Sequence, residues 1–384
     1  MTVKVLICDL IGLKFDKNSN PDPSEVRAYI ESKGAKFHVG LVEVTVDDKI
    51  HFVYLPELST EEEILALTEH GQFDAVIAAA TFIPKRSEFK LGGVRMGAGT
   101  GNMASASWGG GNGEGGIAPL MNTPGFNSRA TAQMTFKALL RVRPDLPVDE
   151  LHIRSTGGDF DTGKNLREYP TEKLEGKTMA ILGYGNIGRE VAKLAAAFGM
   201  IVKIFARAAH QARTEADGFM YAATAKAAAQ NSDVLSVHLG LGAFNANTKK
   251  YANAEIINSE ILSAMNLNSV LLNYDRGECV DVAALDIALA EGRIGHAAID
   301  ADIFKAQDGT LSGPLLPYLP LATKYPGRLA LLPHAAADTD HPSRVAAAKQ
   351  AVDQILDCIL HKRVTNLKGD LPQGYVNAGV KLGV

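Results

Sequence analysis

The chain has 384 residues, of which 46% are hydrophobic and 21% charged, with a formal net charge of -4. That describes a globular protein long enough for two domains with sizeable cores, and the absence of a long Lys/Arg block gives no electrostatic reason to expect nucleic acid or an anionic membrane as partner. No apolar run reaches the ~18 residues of a membrane span, and Cys8, Cys279 and Cys358 are too few and too widely spaced for a disulfide framework or a metal motif, so a reducing, cytoplasmic setting and a small-molecule partner are expected.

In chain order, "VKVLICDL" reads as a first strand, with acidic Asp9 in its apolar stretch and no small-residue cleavage pattern after it. "FDAVIAAAT" (73–81), "VRMGAG" (94–99) and "IAPLMNTPG" (117–125) are further short apolar runs alternating with amphipathic or turn-rich segments, as in a parallel sheet with crossover helices. The run 97–116 is rich in Gly, Ser and Asn and predicts a loop. From Asn127, "NSRATAQMTFKALLRV" has helical spacing behind an Asn cap, and "RPDLPVDE" stops it. Next come "TMAILG", "IVKIFA", "DVLSVHL", "SVLLNY", "HAAIDA" and "LALLPH", strand-like runs separated by helical patterns, which predict a second α/β unit. "HPSRVAAAKQAVDQILDCIL" predicts a final helix, and the residues after it read as polar or irregular.

Within the second unit, Gly183, Gly185 and Gly188 directly follow the strand "TMAILG" and open the helix "GREVAKLAAAFG". That context suits a dinucleotide: the first glycine permits a tight turn, the second lets the backbone approach a pyrophosphate, and the third allows helix and strand to pack closely. The helix N-terminus then offers free N–H donors to the phosphates. The following strand, "IVKIFARAAHQAR", lacks the acidic residue that holds a ribose 2′-hydroxyl. Ala206 stands in its place, followed by Arg207, with His210 and Arg213 nearby. A guanidinium without a carboxylate suits a 2′-phosphate, so NADP is the expected cofactor and NAD the alternative.

Several ordered motifs, "GYGNIGREVAKLAAAFGM", "SDVLSVHLGL", "LNYDRGECVDVAALDIALAEGRIGHAAID" and "LLPHAAADT", give a sequence that resembles the D-isomer-specific 2-hydroxyacid dehydrogenase family over nearly its whole length. "RMGAGTGN" and "MNTPGFN" are similar to that family's substrate loop and the segment leading between its domains. The resemblance implies two doubly wound α/β domains, a Rossmann cofactor domain (127–336) inserted into a flavodoxin-like substrate domain (1–126 plus 337–384), with catalysis in the cleft. It also implies a homodimer joined through cofactor domains, and the apolar helix 127–143 is long for a monomer's surface.

The family's reaction is reversible hydride transfer between a nicotinamide and the 2-carbon of a 2-oxo or 2-hydroxy acid. Arg276 in "NYDRG" matches the catalytic arginine that grips carboxylate and carbonyl, and His334 in "LLPHAAA" matches the general acid/base. Ala98, Gly99 and Thr100 match the loop that binds the substrate carboxylate through backbone N–H groups. The cofactor set comprises Gly183, Gly185, Asn186, Ile187, Gly188, Arg207, Tyr274 and Asp300. His341 in "DHPSR" reads as a helix-start residue.

The chain also departs from the family. Five residues after Asp300, where the family places a Glu beside the histidine, stands Lys305, which cannot stabilise an imidazolium. Asp302, Gln307 and Asp308 are the candidate replacements, and without one the imidazole is expected to titrate near the free value of ~6.5. Gly101 replaces a common acid of the substrate loop, and 109–116 is unusually Gly-rich. The missing Glu keeps two alternatives open: a cofactor-binding regulator or inactive relative, and an enzyme resembling formate dehydrogenases, which need no acid/base pair.

Overall fold

The computed structural model describes residues 2–44, 46–58, 60–100, 102–103, 107–108, 117–142, 147–170, 172–245, 247–305, 308–334 and 340–383. The chain divides into two compact units, Met1–Ala130 with Ala337–Val384, and Thr131–Ala336.

In the first unit, six parallel strands lie side by side in the order Lys36–Val39, Ile50–Tyr54, Val3–Ile7, Ala75–Ala78, Gly92–Arg95 and Ala118–Asn122. Leaving aside the edge strand Lys36–Val39, this is the 2-1-3-4-5 order of flavodoxin-like sheets. Alternate side chains of Val3–Ile7 serve opposite faces, as the pleat requires. Val5 and Ile7 pack with Phe52, Ile77 and the last helix, His341–His361, through Val345, Ala348, Val352 and Ile355. Leu6 packs on the other face with Val76, Phe89 and Ile64, the last from the helix Glu61–Thr68.

Two of these strands are not apparent in the sequence pattern, because Lys36–Val39 and Ile50–Tyr54 place Lys and His among their apolar residues. His51 is nevertheless buried, and both its ring nitrogens are partnered: Nδ1 lies 3.0 Å from His38 Nε2 and Nε2 lies 2.7 Å from Asp47 Oδ1. A satisfied polar side chain can occupy a core strand at little cost. The residues after the last helix also differ from the expectation of an irregular tail. Leu367–Lys368 joins the main sheet antiparallel to Ala118–Asn122, and Arg363–Thr365 pairs with Val376–Gly379.

The second unit has seven parallel strands in the order Met220–Ala222, Ile201–Phe205, Thr178–Leu182, Val234–Val237, Ser269–Asn273, Ile294–Ala301 and Leu329–Pro333. This is the 3-2-1-4-5-6 Rossmann order with one strand added. Both faces are covered, so the strands read as continuous apolar runs. Ala180, Leu182, Leu235 and Leu271 pack with Leu285 and Leu289 of the helix Val282–Ala290. Met179, Ile181, Val234 and Val270 pack on the other face with Phe136 and Leu139 of the helix Ser128–Val142 and with Val191 of the helix Asn186–Ala197. The expected break "RPDLPVDE", of which 143–146 lie outside the described residues, itself runs into one more helix, Val148–Gly157, that buries none of its side chains.

Candidate active site

The strand order of the second unit reverses between Thr178–Leu182 and Val234–Val237, the position where open α/β sheets bind ligands at the carboxyl ends of their strands. Gly183 leaves the first of these strands at φ +105°, and a Cβ there would lie 2.1 Å from the carbonyl oxygen of His238. At Gly188 a Cβ would lie 2.0 Å from the carbonyl oxygen of Gly183. Both positions therefore require glycine for the fold itself. Gly185 differs, with no atom within 4 Å of the position a Cβ would take. It caps the helix Asn186–Ala197 without a side-chain hydrogen bond. The Asn186 side chain is turned to Arg189, accepting a 2.7 Å bond, while Ile187 is partly buried in the core. An open backbone cradle at a helix N-terminus fits the pyrophosphate of a nicotinamide dinucleotide.

At the end of the strand Ile201–Phe205, Ala206 is buried and Arg207 is exposed, its Nη2 3.3 Å from His210 Nε2. Arg213 is directed elsewhere, toward Asp217 at 3.7 Å.

Three further strands end at this same edge. After Ser269–Asn273 the chain turns through Tyr274, Asp275 and Arg276, and the turn is held by a 2.8 Å bond from Asn273 Nδ2 to the carbonyl oxygen of Arg276. Arg276 Nη1 lies 3.5 Å from Asp302 Oδ2. From the next strand, Ile294–Ala301, comes buried Asp300, and from the end of Leu329–Pro333 comes His334. His334 Nδ1 lies 3.7 Å from Asp300 Oδ1. Tyr274 is buried against the same group, and burial first, then the Asp300 charge, push its phenol well above the ordinary range.

In the first unit, the loop after Gly92–Arg95 is anchored at Gly97, whose N–H donates to Thr123 Oγ1 at 2.9 Å, and at Ala98, whose carbonyl accepts from Asn122 Nδ2 at 2.6 Å. Among the described residues, the N–H groups of Ala98, Gly99 and Thr100 donate to no protein acceptor. Gly101 and the run 109–116 lie outside the described residues.

The D-isomer specific 2-hydroxyacid dehydrogenase NAD binding domain matches residues 148–336. A glyoxylate reductase of Aeropyrum pernix is 31% identical over 262 residues, 68% of this chain and 70% of that protein. The chain belongs to the D-isomer-specific 2-hydroxyacid dehydrogenase family. A glyoxylate reductase of Thermococcus litoralis is 29% identical over 264 residues, again 68% and 70% of the two chains. In fold, the chain resembles a cofactor (NAD+)-bound 3-phosphoglycerate dehydrogenase of Entamoeba histolytica, with TM-score 0.65, 17% identity, and coverage of 97% of this chain and 100% of that one.

For a member of this dehydrogenase family, the structure corrects one expectation about His334. A carboxylate does stand beside it, and it is Asp300, grouped above with the cofactor contacts, rather than any of the proposed substitutes. Asp302 is directed to Arg276. Asp308 is exposed and accepts from the N–H of Thr310 at 2.9 Å. Gln307 lies outside the described residues, and Lys305 is exposed on the hairpin Phe304–Lys305 and Leu311–Ser312. The reason lies in the register of the parallel ladder. Asp300 is paired with Leu332, which sets His334 two residues along the neighbouring strand and diagonally within reach.

Two residues escaped the sequence reading. His238, at the end of Val234–Val237, holds its Nε2 2.8 Å from Ser236 Oγ, and burial pushes its imidazole down to about 3, so it is neutral at physiological pH. Its Nδ1 has no partner among the described residues, beside the backbone that Gly183 must approach. Asp275 accepts a hydrogen bond from the N–H of Gly240. Burial raises its carboxyl, opposed by that bond and by the charges of Arg276 and His334. Apart from the strand–His pattern of "SVHL" and the acid beside Arg276, nothing in the sequence marks either. Among the described residues, no group of three His, Cys, Asp or Glu is placed to hold a metal ion, the three cysteines are buried thiols, and no helix is long and apolar enough to cross a membrane.

Proposed function

We propose that this dehydrogenase-family member is an NADP-preferring reductase of 2-oxo acids, forming 2-hydroxy acids reversibly. The observation that carries this reading is the His334–Asp300 pair, held on the strand edge that also bears Arg276 and the glycine cradle.

When bound, the nicotinamide supplies or accepts the hydride. Gly185, Asn186, Ile187 and Gly188 would hold its pyrophosphate through backbone N–H groups and the helix terminus, while Gly183, whose own N–H donates to the Phe205 carbonyl at 2.8 Å, shapes the turn that opens the cradle. Arg207 grips the 2′-phosphate where a carboxylate would repel it. Tyr274, with its buried ring, packs against the cofactor side of the site. The guanidinium of Arg276 stays charged and orients the substrate carboxylate and carbonyl. With Nδ1 of His334 turned to Asp300, Nε2 is the atom that donates a proton to the nascent alkoxide or takes it from the alcohol. Asp300 places a carboxylate 3.7 Å from that Nδ1, on the side of the ring away from the substrate proton. The N–H groups of Ala98, Gly99 and Thr100 bind the substrate carboxylate.

We read the protein as a cytoplasmic homodimer. Support comes from the helix Val148–Gly157, which leaves Val148 and Ile153 exposed, and from exposed Leu140 and Leu166 close to it in sequence. A panel of 2-oxo acids with NADPH and NADH, followed by nicotinamide absorbance, tests the function. Turnover with NADPH is expected, and cofactor binding without turnover of any acid would instead point to a regulator.

A further inference from the structure

Beside the carboxylate-binding loop, the first unit contains a hollow lined by Met96, Gly97, Phe126, Ser343, Arg344 and Ala347, with Asp340 at its helical end. Its character is mixed. Met96 and Ala347 are buried and Phe126 is partly so, which makes an apolar wall. Arg344, in the first turns of the helix His341–His361, also lines it.

The state of Arg344 is unusual. Its Nε is shut off from solvent and bonds to nothing among the described residues. Nor does the guanidinium pair with any described carboxylate. Asp340, the acid nearest in sequence, is engaged in capping the helix: its Oδ2 accepts from the N–H of Ser343 at 2.9 Å, and the Ser343 side chain and backbone hold its carboxyl below the usual range. Arginines that are half-buried normally have a counter-charge, because desolvating a guanidinium without one is unfavourable. A ligand anion would supply the charge that no described residue provides.

We propose that this hollow receives a second carboxylate of the substrate, so that the preferred substrates are 2-oxo dicarboxylic acids. The proposal rests on the reading above, in which the amides following Gly97 hold the first carboxylate. Gly97 lines the hollow and opens that loop, so the two anion sites adjoin. Methylenes between the two carboxylates lie along Met96 and Phe126, and the guanidinium of Arg344 takes the terminal group through paired, charge-assisted bonds.

The test compares kcat/KM for 2-oxoglutarate, for 2-oxopentanoate, which has the same chain length and no second carboxylate, and for a phosphorylated 2-oxo acid, in the wild type and in Arg344→Met and Arg344→Lys. The wild type should favour the diacid over 2-oxopentanoate by about 10- to 100-fold, the discrimination one charged hydrogen-bonded contact allows. Arg344→Met should abolish that ratio and Arg344→Lys should keep part of it, with NADPH affinity reporting that each variant is folded. An equal ratio in wild type and Arg344→Met overturns the inference while turnover of 2-oxopentanoate leaves the reductase reading standing. A preference for the phosphorylated acid that Arg344→Met removes would overturn the dicarboxylate assignment in favour of phosphate. If no 2-oxo acid is turned over, the reductase reading fails, and calorimetric titration with glutarate decides the hollow alone: binding lost in Arg344→Met supports it, and no binding to wild type overturns it.

Discussion

His334 Nδ1 lies 3.7 Å from Asp300 Oδ1, and the two groups come from adjacent parallel strands joined in register at Asp300 and Leu332. This pairing supplies the carboxylate that Lys305 had appeared to remove. Replacing His334 with Asn should lower turnover by ~10²-fold or more while leaving cofactor affinity in place. Arg276→Lys should be comparably severe, since an ammonium lacks the planar paired donors. Reduction needs the imidazolium, so kcat/KM should fall as pH rises. Removing the Asp300 charge in Asp300→Asn should move that alkaline limb to lower pH. A profile in Asp300→Asn identical to wild type would separate Asp300 from the proton transfer.

Arg207 is the exposed cation at the end of the strand that precedes it, with buried Ala206 where an acid would bind a ribose hydroxyl. NADPH should bind more tightly than NADH by about one to two orders of magnitude, the effect of one ionic contact. Arg207→Ala should weaken NADPH selectively. Titration showing equal or tighter binding of NADH to the wild type would rule the preference out.

The glycine loop separates a folding requirement from a binding one. Gly185 has an ordinary φ of -80° and open space beside it, so Gly185→Ala should leave Tm within about 2 °C of wild type. Its added methyl would occupy the cradle, and dinucleotide affinity should fall by about 10-fold or more. Gly183→Ala forces a side chain at φ +105° into the His238 carbonyl and should destabilise the fold by about 2 kcal/mol or more. Calorimetric melting and cofactor titration of both variants distinguish the two roles.

In the first unit, Glu25 lies 2.5 Å from Lys14 Nζ and 3.1 Å from His341 Nε2. Lys14 first, then His341, hold its carboxyl down at about 2. A folded-state value below the unfolded one means the contribution is present above the unfolded carboxylate range and is lost as pH falls through the folded value. Glu25→Gln should therefore lower Tm slightly at pH 7, by about 1–2 °C for an exposed pair, and the deficit should close between pH ~4.5 and ~2. A deficit of constant size across that range would count against the ion pairs as its source.

The homodimer is tested by light scattering across the micromolar range. The expected mass is twice the 40.9 kDa of the chain. A mass close to that of one chain would refute it.

The elements with strong local signals were determined by sequence alone. Continuous apolar runs fall on both-faced parallel strands, and "TMAILG" followed by Gly183, Gly185 and Gly188 is a strand–turn–helix whose requirements are local. The positions of Arg276 and His334, each just past such a run, were legible for the same reason. Contacts between residues distant in sequence were decided only by tertiary structure. Lys305 stands where the family's acid was sought, yet strand register brings Asp300 to His334 and leaves Asp302 to Arg276. Ile50–Tyr54 becomes a buried strand and Lys36–Val39 its edge neighbour with His38, His51 and Asp47 satisfying one another, which no hydrophobic pattern records. Arg344 looks in sequence like any arginine on a helix, and only the fold sets it, half-buried, on the same hollow as Met96 and Phe126 with no counter-charge among the described residues. Periodicity reports the burial of a segment's own side chains, whereas the pairing of charges depends on which strands and helices the fold makes neighbours.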